Sequence, residues 1–136
     1  MTNSYQILIV DDDQGWLKRF NRYLTLEGQF AISMATSYQE ALDLLVAREF
    51  NFDLVILDIN LTDVAGNVDG LRVGNEIWKH KKGIKVIIIS GSENAGQRRT
   101  FMNFVPNYII QKQAFDKNSF LEKVYAALLQ KSPWEI

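Results

Sequence analysis

The segment LVILD (Leu54–Asp58) is a run of four aliphatic residues that ends on a carboxylate. Such a run, in which polar residues do not alternate, is typical of a strand that a parallel sheet buries on both faces. Three other runs have the same character, namely ILIV (7–10), VIII (86–89) and YII (108–110). The segment FAISMA (Phe30–Ala35) does alternate. Its pattern predicts an edge strand.

Segments with helical periodicity separate the five strand candidates. Their apolar stripes lie at 16–24, 41–45, 71–78, 93–104 and 124–128. The stripe at 93–104 is the weakest of the five. Asp13 is an N-cap candidate for the first helix. The pairs Ser37/Glu40 and Ser119/Glu122 have the spacing of capping boxes, which predicts that helices begin there.

The resulting order of elements is βαβαβαβαβα, with no internal repeat and no interdomain linker. Alternation of this kind implies right-handed crossovers and helices on both faces of a parallel sheet. We therefore predict an α/β, doubly wound, flavodoxin-like (βα)5 fold with the strand order 2-1-3-4-5. Residues 1–136 are expected to form a single domain.

Composition narrows the class of protein. The 136-residue chain is 47% hydrophobic and 12% aromatic, so a core of normal size can form. Its net charge of −1 favours neither nucleic acid nor an anionic membrane as a direct partner. Cysteine is absent, which excludes disulfides, thiolate zinc sites and a thiol nucleophile. The N-terminal segment has neither the pattern of a signal peptide nor that of a membrane span, so we expect a soluble, cytoplasmic protein.

Polar residues stand at the carboxyl ends of four predicted strands. Asp11 and Asp12 follow the first, Asp58 ends the third, Ser90 ends the fourth, and Lys112 follows the fifth. The predicted strand order brings these ends to one edge of the sheet, where doubly wound folds bind ligands. Two carboxylates about 5 Å apart repel by roughly 3 kcal/mol at an effective dielectric constant near 20. The cluster is therefore expected to hold a proton or to bind a cation.

The types of these residues indicate phosphoryl chemistry with a metal. Oxygen ligands favour a hard ion, and here Mg²⁺ suits the cluster better than Zn²⁺. A phosphoryl group on Asp58 would add a charge of about −1.5 to −2. Ser90, Lys112 and the metal are suited to receive its oxygens. An aspartate nucleophile that forms an acyl phosphate is established chemistry.

Four segments, ILIVDDD, FDLVILDIN, VIIIS and YIIQK, resemble in this order the receiver domain of two-component response regulators, the CheY-like family. The resemblance covers nearly the whole chain, and it implies an aspartyl-phosphate phosphoprotein that works in signal transduction. The matching positions imply that Asp58 is the phosphoacceptor. They imply that Asp12 binds Mg²⁺ directly, that Asp11 binds it mainly through water, and that the backbone carbonyl of Asn60 is a further ligand. They also imply that Ser90 and Lys112 bind the phosphoryl oxygens.

The same resemblance implies partners. The phosphoryl donor would be a phosphohistidine on a sensor histidine kinase or a histidine phosphotransfer protein. Capture of the phosphoryl group would change the face formed by the fourth helix, fifth strand and fifth helix, which would bind a downstream effector protein or a second copy of the chain. Such a receiver phosphorylates itself and slowly dephosphorylates itself, and is not a metabolic enzyme.

Three positions depart from the family pattern. Gly70 comes twelve residues after Asp58, because the segment 62–68 is longer than expected. Ile109 stands where many receivers have a rotating Tyr or Phe. Gln113 replaces the usual proline after the lysine, so a cis peptide there would cost about 2.5–4 kcal/mol. Trp16, close to the acidic pair, is expected to be half-buried and to report metal binding through its fluorescence.

Three alternatives stay open. The first is a receiver-like interaction module that works without phosphorylation. The second is an Asp-nucleophile phosphatase, which would need a second aspartate two residues past Asp58, where Asn60 stands. The third is a flavodoxin-like cofactor binder, which is disfavoured because no glycine-rich phosphate loop follows the first strand.

Overall fold

The structure is a computed structural model that describes residues 4–62, 64, 66–80, 83–91 and 101–130. Its five strands form one parallel sheet in the order β2-β1-β3-β4-β5, which confirms the predicted fold class and strand order. The strands are β1 (Tyr5–Val10), β2 (Phe30–Ala35), β3 (Leu54–Asp58), β4 (Lys85–Ser90) and β5 (Tyr108–Gln111). The α-helices of the described residues are α1 (Gln14–Glu27), α2 (Tyr38–Ala47), α3 (Asp69–His80) and α4 (Lys117–Leu129). A short 3-10 helix, Lys112–Ala114, follows β5.

Two hydrophobic cores lie on opposite faces of the sheet. Successive side chains of a strand point to opposite faces, so Leu8 and Val55 pack with α2 and α3, whereas Ile9 and Ile56 pack with α1 and α4. Strands β3 and β4 are buried along their whole length, as their unbroken aliphatic runs predict. Strand β2 lies at the edge, where Met34 is 46% exposed. Packing on both faces holds the five strands in place, and with them the carboxyl ends of the strands.

The predicted N-caps of the first two helices are confirmed. The Asp13 carboxylate accepts hydrogen bonds from the backbone N–H groups of Gly15 and Trp16, at 2.8 and 3.2 Å. Ser37 Oγ accepts from the N–H of Glu40 at 3.1 Å. The Glu40 carboxylate accepts from both the N–H and the hydroxyl of Thr36, which lowers the pKa of Glu40. Both helices therefore start where the sequence places them.

The predicted capping box at Ser119 is wrong. Asp116 caps α4 instead, because its carboxylate accepts a hydrogen bond from the N–H of Ser119 at 2.8 Å. Ser119 lies inside the helix, and its hydroxyl accepts from Lys123 Nζ at 2.7 Å. An Asp three residues earlier is an equally good N-cap, so the helix begins one turn before the box.

The predicted fourth helix, 93–104, falls mostly outside the described residues, which resume at 101. Phe104, at its end, is 3% exposed and packs against α3. A Cβ added to Gly74 would lie 2.2 Å from the Phe104 ring, so α3 needs glycine at this position. Among the described residues, no helix is long and apolar enough to cross a membrane.

Candidate functional site

The strand register gathers the predicted site residues at the carboxyl edge of the sheet. Val10 of β1 pairs with Leu57 of β3, so the next residues, Asp11 and Asp58, lie side by side. Ser90 ends β4 opposite Gln111 of β5. Since Lys112 directly follows that pair, residues a hundred positions apart in sequence become neighbours.

Three carboxylates meet at this edge. Oxygen atoms of Asp11, Asp12 and Asp58 all lie within 4.8 Å of one another. Asp11 and Asp58 are buried, with 1% and 6% of their surface exposed, and Asp12 is half-buried. Burial, together with the neighbouring charge of Asp11, raises the pKa of Asp58 to about 7, although Lys112 acts in the opposite direction. A pKa near 7 means that the Asp58 carboxyl is partly protonated at neutral pH when no cation is bound.

Lys112 brings a positive charge into contact with the buried Asp11 and Asp58. Its Nζ lies 2.9 Å from Asp11 Oδ2 and 3.2 Å from Asp58 Oδ2, and its side chain is only 13% exposed. Burial alone would lower the pKa of Lys112, but the carboxylates of Asp58 and Asp11 outweigh it, so that the pKa is raised. Lys112 thus offsets part of the negative charge of the buried Asp11 and Asp58 carboxylates.

The 3-10 turn after β5 directs Lys112 into the cluster without a proline. Gln113 Nε2 donates a hydrogen bond to the backbone carbonyl of Gly91 at 2.8 Å, which joins this turn to the end of β4. The peptide bonds of the described residues are all trans, in agreement with the cost expected for a cis bond before Gln113. Lys112 Nζ also lies 5.3 Å from the centre of the Trp16 ring, a cation–π contact.

Ser90 contributes a buried hydroxyl whose hydrogen bonding is incomplete. The residue is 1% exposed, and its Oγ has no hydrogen-bond partner among the described residues. A buried polar group without a partner costs about 1–3 kcal/mol. A ligand that brings an acceptor oxygen to this edge would recover that energy.

The described residues of the long segment after Asp58 form hydrogen bonds between β3 and α3. Asn60, the predicted backbone ligand, is half-buried, and its side chain donates a hydrogen bond to the carbonyl of Asn67. Asn67 Oδ1 accepts from the N–H groups of Leu61 and Asp69, at 2.9 and 3.1 Å. The loop is therefore held by internal hydrogen bonds next to the end of β3.

Gly70 has a positioning role that was not predicted from the sequence. A Cβ at this residue would lie 1.7 Å from the backbone oxygen of Asp58, and its N–H donates to the Ile59 carbonyl at 2.9 Å. The first turn of α3 thus rests directly on the backbone that carries the Asp58 carboxylate. The sequence signal is a glycine in the opening turn of a helix, where it is not needed for a cap.

The structure also describes the positions of Trp16 and Ile109. Trp16 is half-buried, as expected, and packs against Phe115 while Arg19 lies over its ring at 4.2 Å. Ile109 is 37% exposed on one face of β5. Tyr108 lies on the other face, where its hydroxyl accepts a hydrogen bond from Gln130 at 3.0 Å. The tyrosine is thus held away from the position of an aromatic switch.

Comparison with known proteins gives one consistent result. The model of the family described as "Response regulator receiver domain" matches residues 7–125. The transcriptional regulatory protein GlrR of Escherichia coli (strain K12) is 30% identical over 132 residues, which make up 93% of this chain but only 27% of that protein. The chain therefore spans about a quarter of the length of this curated relative.

Solved structures show the same likeness. A response regulator receiver domain protein (CheY-like) from Methanospirillum hungatei JF-1 has a TM-score of 0.79 and 26% identity, with 93% of this chain and 94% of that chain covered. The receiver domain of NtrX from Brucella abortus has a TM-score of 0.74 and 28% identity, with 90% and 97% covered. Both likenesses extend over almost the entire described fold.

Proposed function

Because the chain belongs to the response regulator receiver domain family, we propose that it is the phosphoacceptor of a two-component or phosphorelay system and receives a phosphoryl group on Asp58. The observation that carries the proposal is the contact of the buried Asp58 carboxylate with Lys112 Nζ, at 3.2 Å, within a cluster of three carboxylates. The buried hydroxyl of Ser90, which has no hydrogen-bond partner in the part of the chain that the structure describes, supports the same assignment.

The donor atoms at the edge fit Mg²⁺. Asp11, Asp12, Asp58 and the backbone carbonyl of Asn60 would hold the ion, and all four supply the oxygen atoms that this hard cation prefers. When bound, the ion would neutralise charge that develops on the phosphoryl oxygens.

The residues of the chain would carry out the transfer as follows. A carboxylate oxygen of Asp58 attacks the phosphorus of the donor, an O–P bond forms, and the N–P bond to the donor imidazole breaks. The electron pair of that bond stays on the imidazole nitrogen. The ion pair between Lys112 Nζ and the Asp58 carboxylate would then weaken. Lys112 Nζ and the Ser90 hydroxyl would donate hydrogen bonds to the phosphoryl oxygens.

Partners follow from this chemistry. The donor would be a sensor histidine kinase or a histidine phosphotransfer protein, and a downstream effector protein would read the result. We place the readout, and a possible homodimer contact, on the face that includes β5, where Ile109 is exposed, and α4, which is the fifth helix of the predicted order. We propose no direct contact with nucleic acid or membrane, and no metabolic reaction beyond self-phosphorylation and slow self-dephosphorylation.

Intact-mass spectrometry after incubation with acetyl phosphate and Mg²⁺ tests the proposal. The wild type is expected to gain about 80 Da, the mass of one phosphoryl group, and Asp58→Asn is expected to gain nothing. Chelation of the metal should abolish the wild-type adduct. An adduct of equal yield in Asp58→Asn would contradict the assignment of Asp58. No adduct in either protein would favour the phosphorylation-independent interaction module.

A further inference from the structure

The described residues of the loop between β3 and α3 are linked by one residue, Asn67. Val64 is 69% exposed, whereas Leu61 at the base of the loop is 3% exposed. Asn67 lies at that base and accepts three hydrogen bonds there. Its side-chain oxygen therefore acts on the part of the loop that adjoins Asp58, whereas its backbone N–H donates to the Val64 carbonyl at 3.2 Å.

The bond to Leu61 has a geometric consequence for Asn60. The N–H of Leu61 and the carbonyl of Asn60 belong to the same peptide group, which is planar and trans, so the two bonds point in opposite directions. Asn67 Oδ1 holds that N–H at 2.9 Å. The direction of the Asn60 carbonyl is thereby set by a side chain seven residues away.

Asn67 forms two further hydrogen bonds, one to the Asn60 side chain and one to the start of α3. Its backbone carbonyl accepts a hydrogen bond from the Asn60 side chain. Its Oδ1 also accepts from the N–H of Asp69, the first residue of α3, at 3.1 Å. Since Gly70, the next residue, rests on the backbone oxygen of Asp58, this set of bonds ties the Asn60 carbonyl to the helix that also fixes the acceptor.

We propose that Asn67 is a positioning residue for the divalent cation, which it serves by aiming the backbone carbonyl of Asn60 at the carboxylate cluster. The inference rests on the proposed function, in which that carbonyl is a metal ligand. Groups that orient a metal ligand through a hydrogen bond typically change metal affinity 10- to 100-fold when they are removed. The loss of Asn67 is therefore expected to weaken metal binding without removing a ligand.

The alternative is that Asn67 only stabilises the loop. Thr62 offers a matched control, because its Oγ1 accepts a hydrogen bond from the N–H of Val64 at 3.1 Å within the same loop. That bond does not involve the peptide between Asn60 and Leu61. Thr62→Val removes it and leaves the restraint on the Asn60 carbonyl intact, so the two variants separate the orientation of the ligand from the general order of the loop.

Metal affinity is measured by titration with Mn²⁺, because electron paramagnetic resonance gives the concentration of free Mn²⁺. The affinity for Mg²⁺ follows from its competition with Mn²⁺. Asn67→Ala is expected to bind about tenfold more weakly than the wild type, and Thr62→Val to stay within about twofold of it. Asn67→Asp keeps an acceptor oxygen and is expected to bind at least as tightly as the wild type. Urea unfolding without metal checks that each variant folds, and Asn67→Ser replaces Asn67→Ala if that variant does not.

The outcomes separate the inference from the proposed function. Equal affinity of Asn67→Ala and the wild type would overturn the positioning role while leaving Mg²⁺ use intact. Equal weakening by Thr62→Val would also overturn it, because loop order would then explain the effect. Absence of any competable binding by the wild type would contradict the metal requirement itself, and the inference with it.

Discussion

The central strands bury aliphatic side chains along their length and polar side chains at their carboxyl ends. In the interior, Ile56 and Ile88 are at most 1% exposed and gain stability from burial alone. At the edge, Asp11, Asp58 and Ser90 are almost as deeply buried, at 1–6% exposed. The two aspartates carry ionisable groups, and the Ser90 hydroxyl has no hydrogen-bond partner within the described ranges. Equal burial thus stabilises one region and destabilises the other. The edge has the composition of a site that a cation and a phosphoryl group would complete.

The largest change in stability is expected where the first turn of α3 packs on the backbone of Asp58. Gly70→Ala would place a methyl group 1.7 Å from the Asp58 carbonyl oxygen, which neither strand nor helix can avoid without moving. We expect a loss of about 3 kcal/mol or more in the free energy of unfolding, measured by urea denaturation.

Gly91→Ala is the matched control on the same edge. A Cβ there would lie 3.6 Å from Lys112 Cδ, an ordinary contact, so the change in stability is expected to be within about 0.5 kcal/mol. If both substitutions had the same small effect, the close seating of α3 on the Asp58 backbone would be contradicted.

The charge of Asp58 offers the second test. Folding raises the pKa of Asp58 from its ordinary value of 3.8 to about 7. Between these values the native state holds an extra proton, so the Asp58 contribution to stability falls as pH rises through this range and stays low above it. Asp58→Asn removes this effect and is expected to stabilise the metal-free protein at pH 8 by on the order of 2 kcal/mol.

The gain should shrink as pH falls and disappear well below pH 3.8, where Asp58 is protonated in both states. Urea unfolding of the wild type and Asp58→Asn at several pH values, in EDTA, measures it. Asp43→Asn, which changes an exposed carboxylate on α2, is the control and should show no comparable gain. A destabilising effect of Asp58→Asn at pH 8 would mean that Lys112 more than compensates for burial.

The smallest effect concerns the unpartnered hydroxyl. Ser90→Ala removes a buried Oγ that has no hydrogen-bond partner among the described residues, so the metal-free protein is expected to gain about 1 kcal/mol or lose nothing. Ser119→Ala is the control, because its hydroxyl is bonded to Lys123 and its removal should not stabilise. A loss of more than about 1 kcal/mol in Ser90→Ala would show that the hydroxyl is already satisfied.

The fold and the gathering of the site could be predicted because both depend on patterns along single segments. Unbroken aliphatic runs identify buried parallel strands, and the strand order then brings Asp11, Asp58 and Lys112 together without any knowledge of loops. The charge of each residue type was enough to indicate a cation at that edge.

The features that escaped prediction depend on contacts between loops. The Asn67 bonds to Leu61 and Asp69 and the Gln113 bond to Gly91 require the paths of two connections at once. The cap of α4 was misplaced because two acceptable caps lie three residues apart, and only packing chooses between them. Side-chain contacts across turns leave no periodic trace in a sequence.

The most direct test of the central claim locates the phosphoryl group within the chain. After reaction with acetyl phosphate and Mg²⁺, borohydride reduces an aspartyl phosphate to homoserine, and peptide mapping by mass spectrometry identifies the converted residue. We predict homoserine at position 58, lost when the metal is chelated and absent in Asp58→Asn. Homoserine at another aspartate, with Asp58 unchanged, would contradict the claim that the buried acid at the end of β3 is the acceptor.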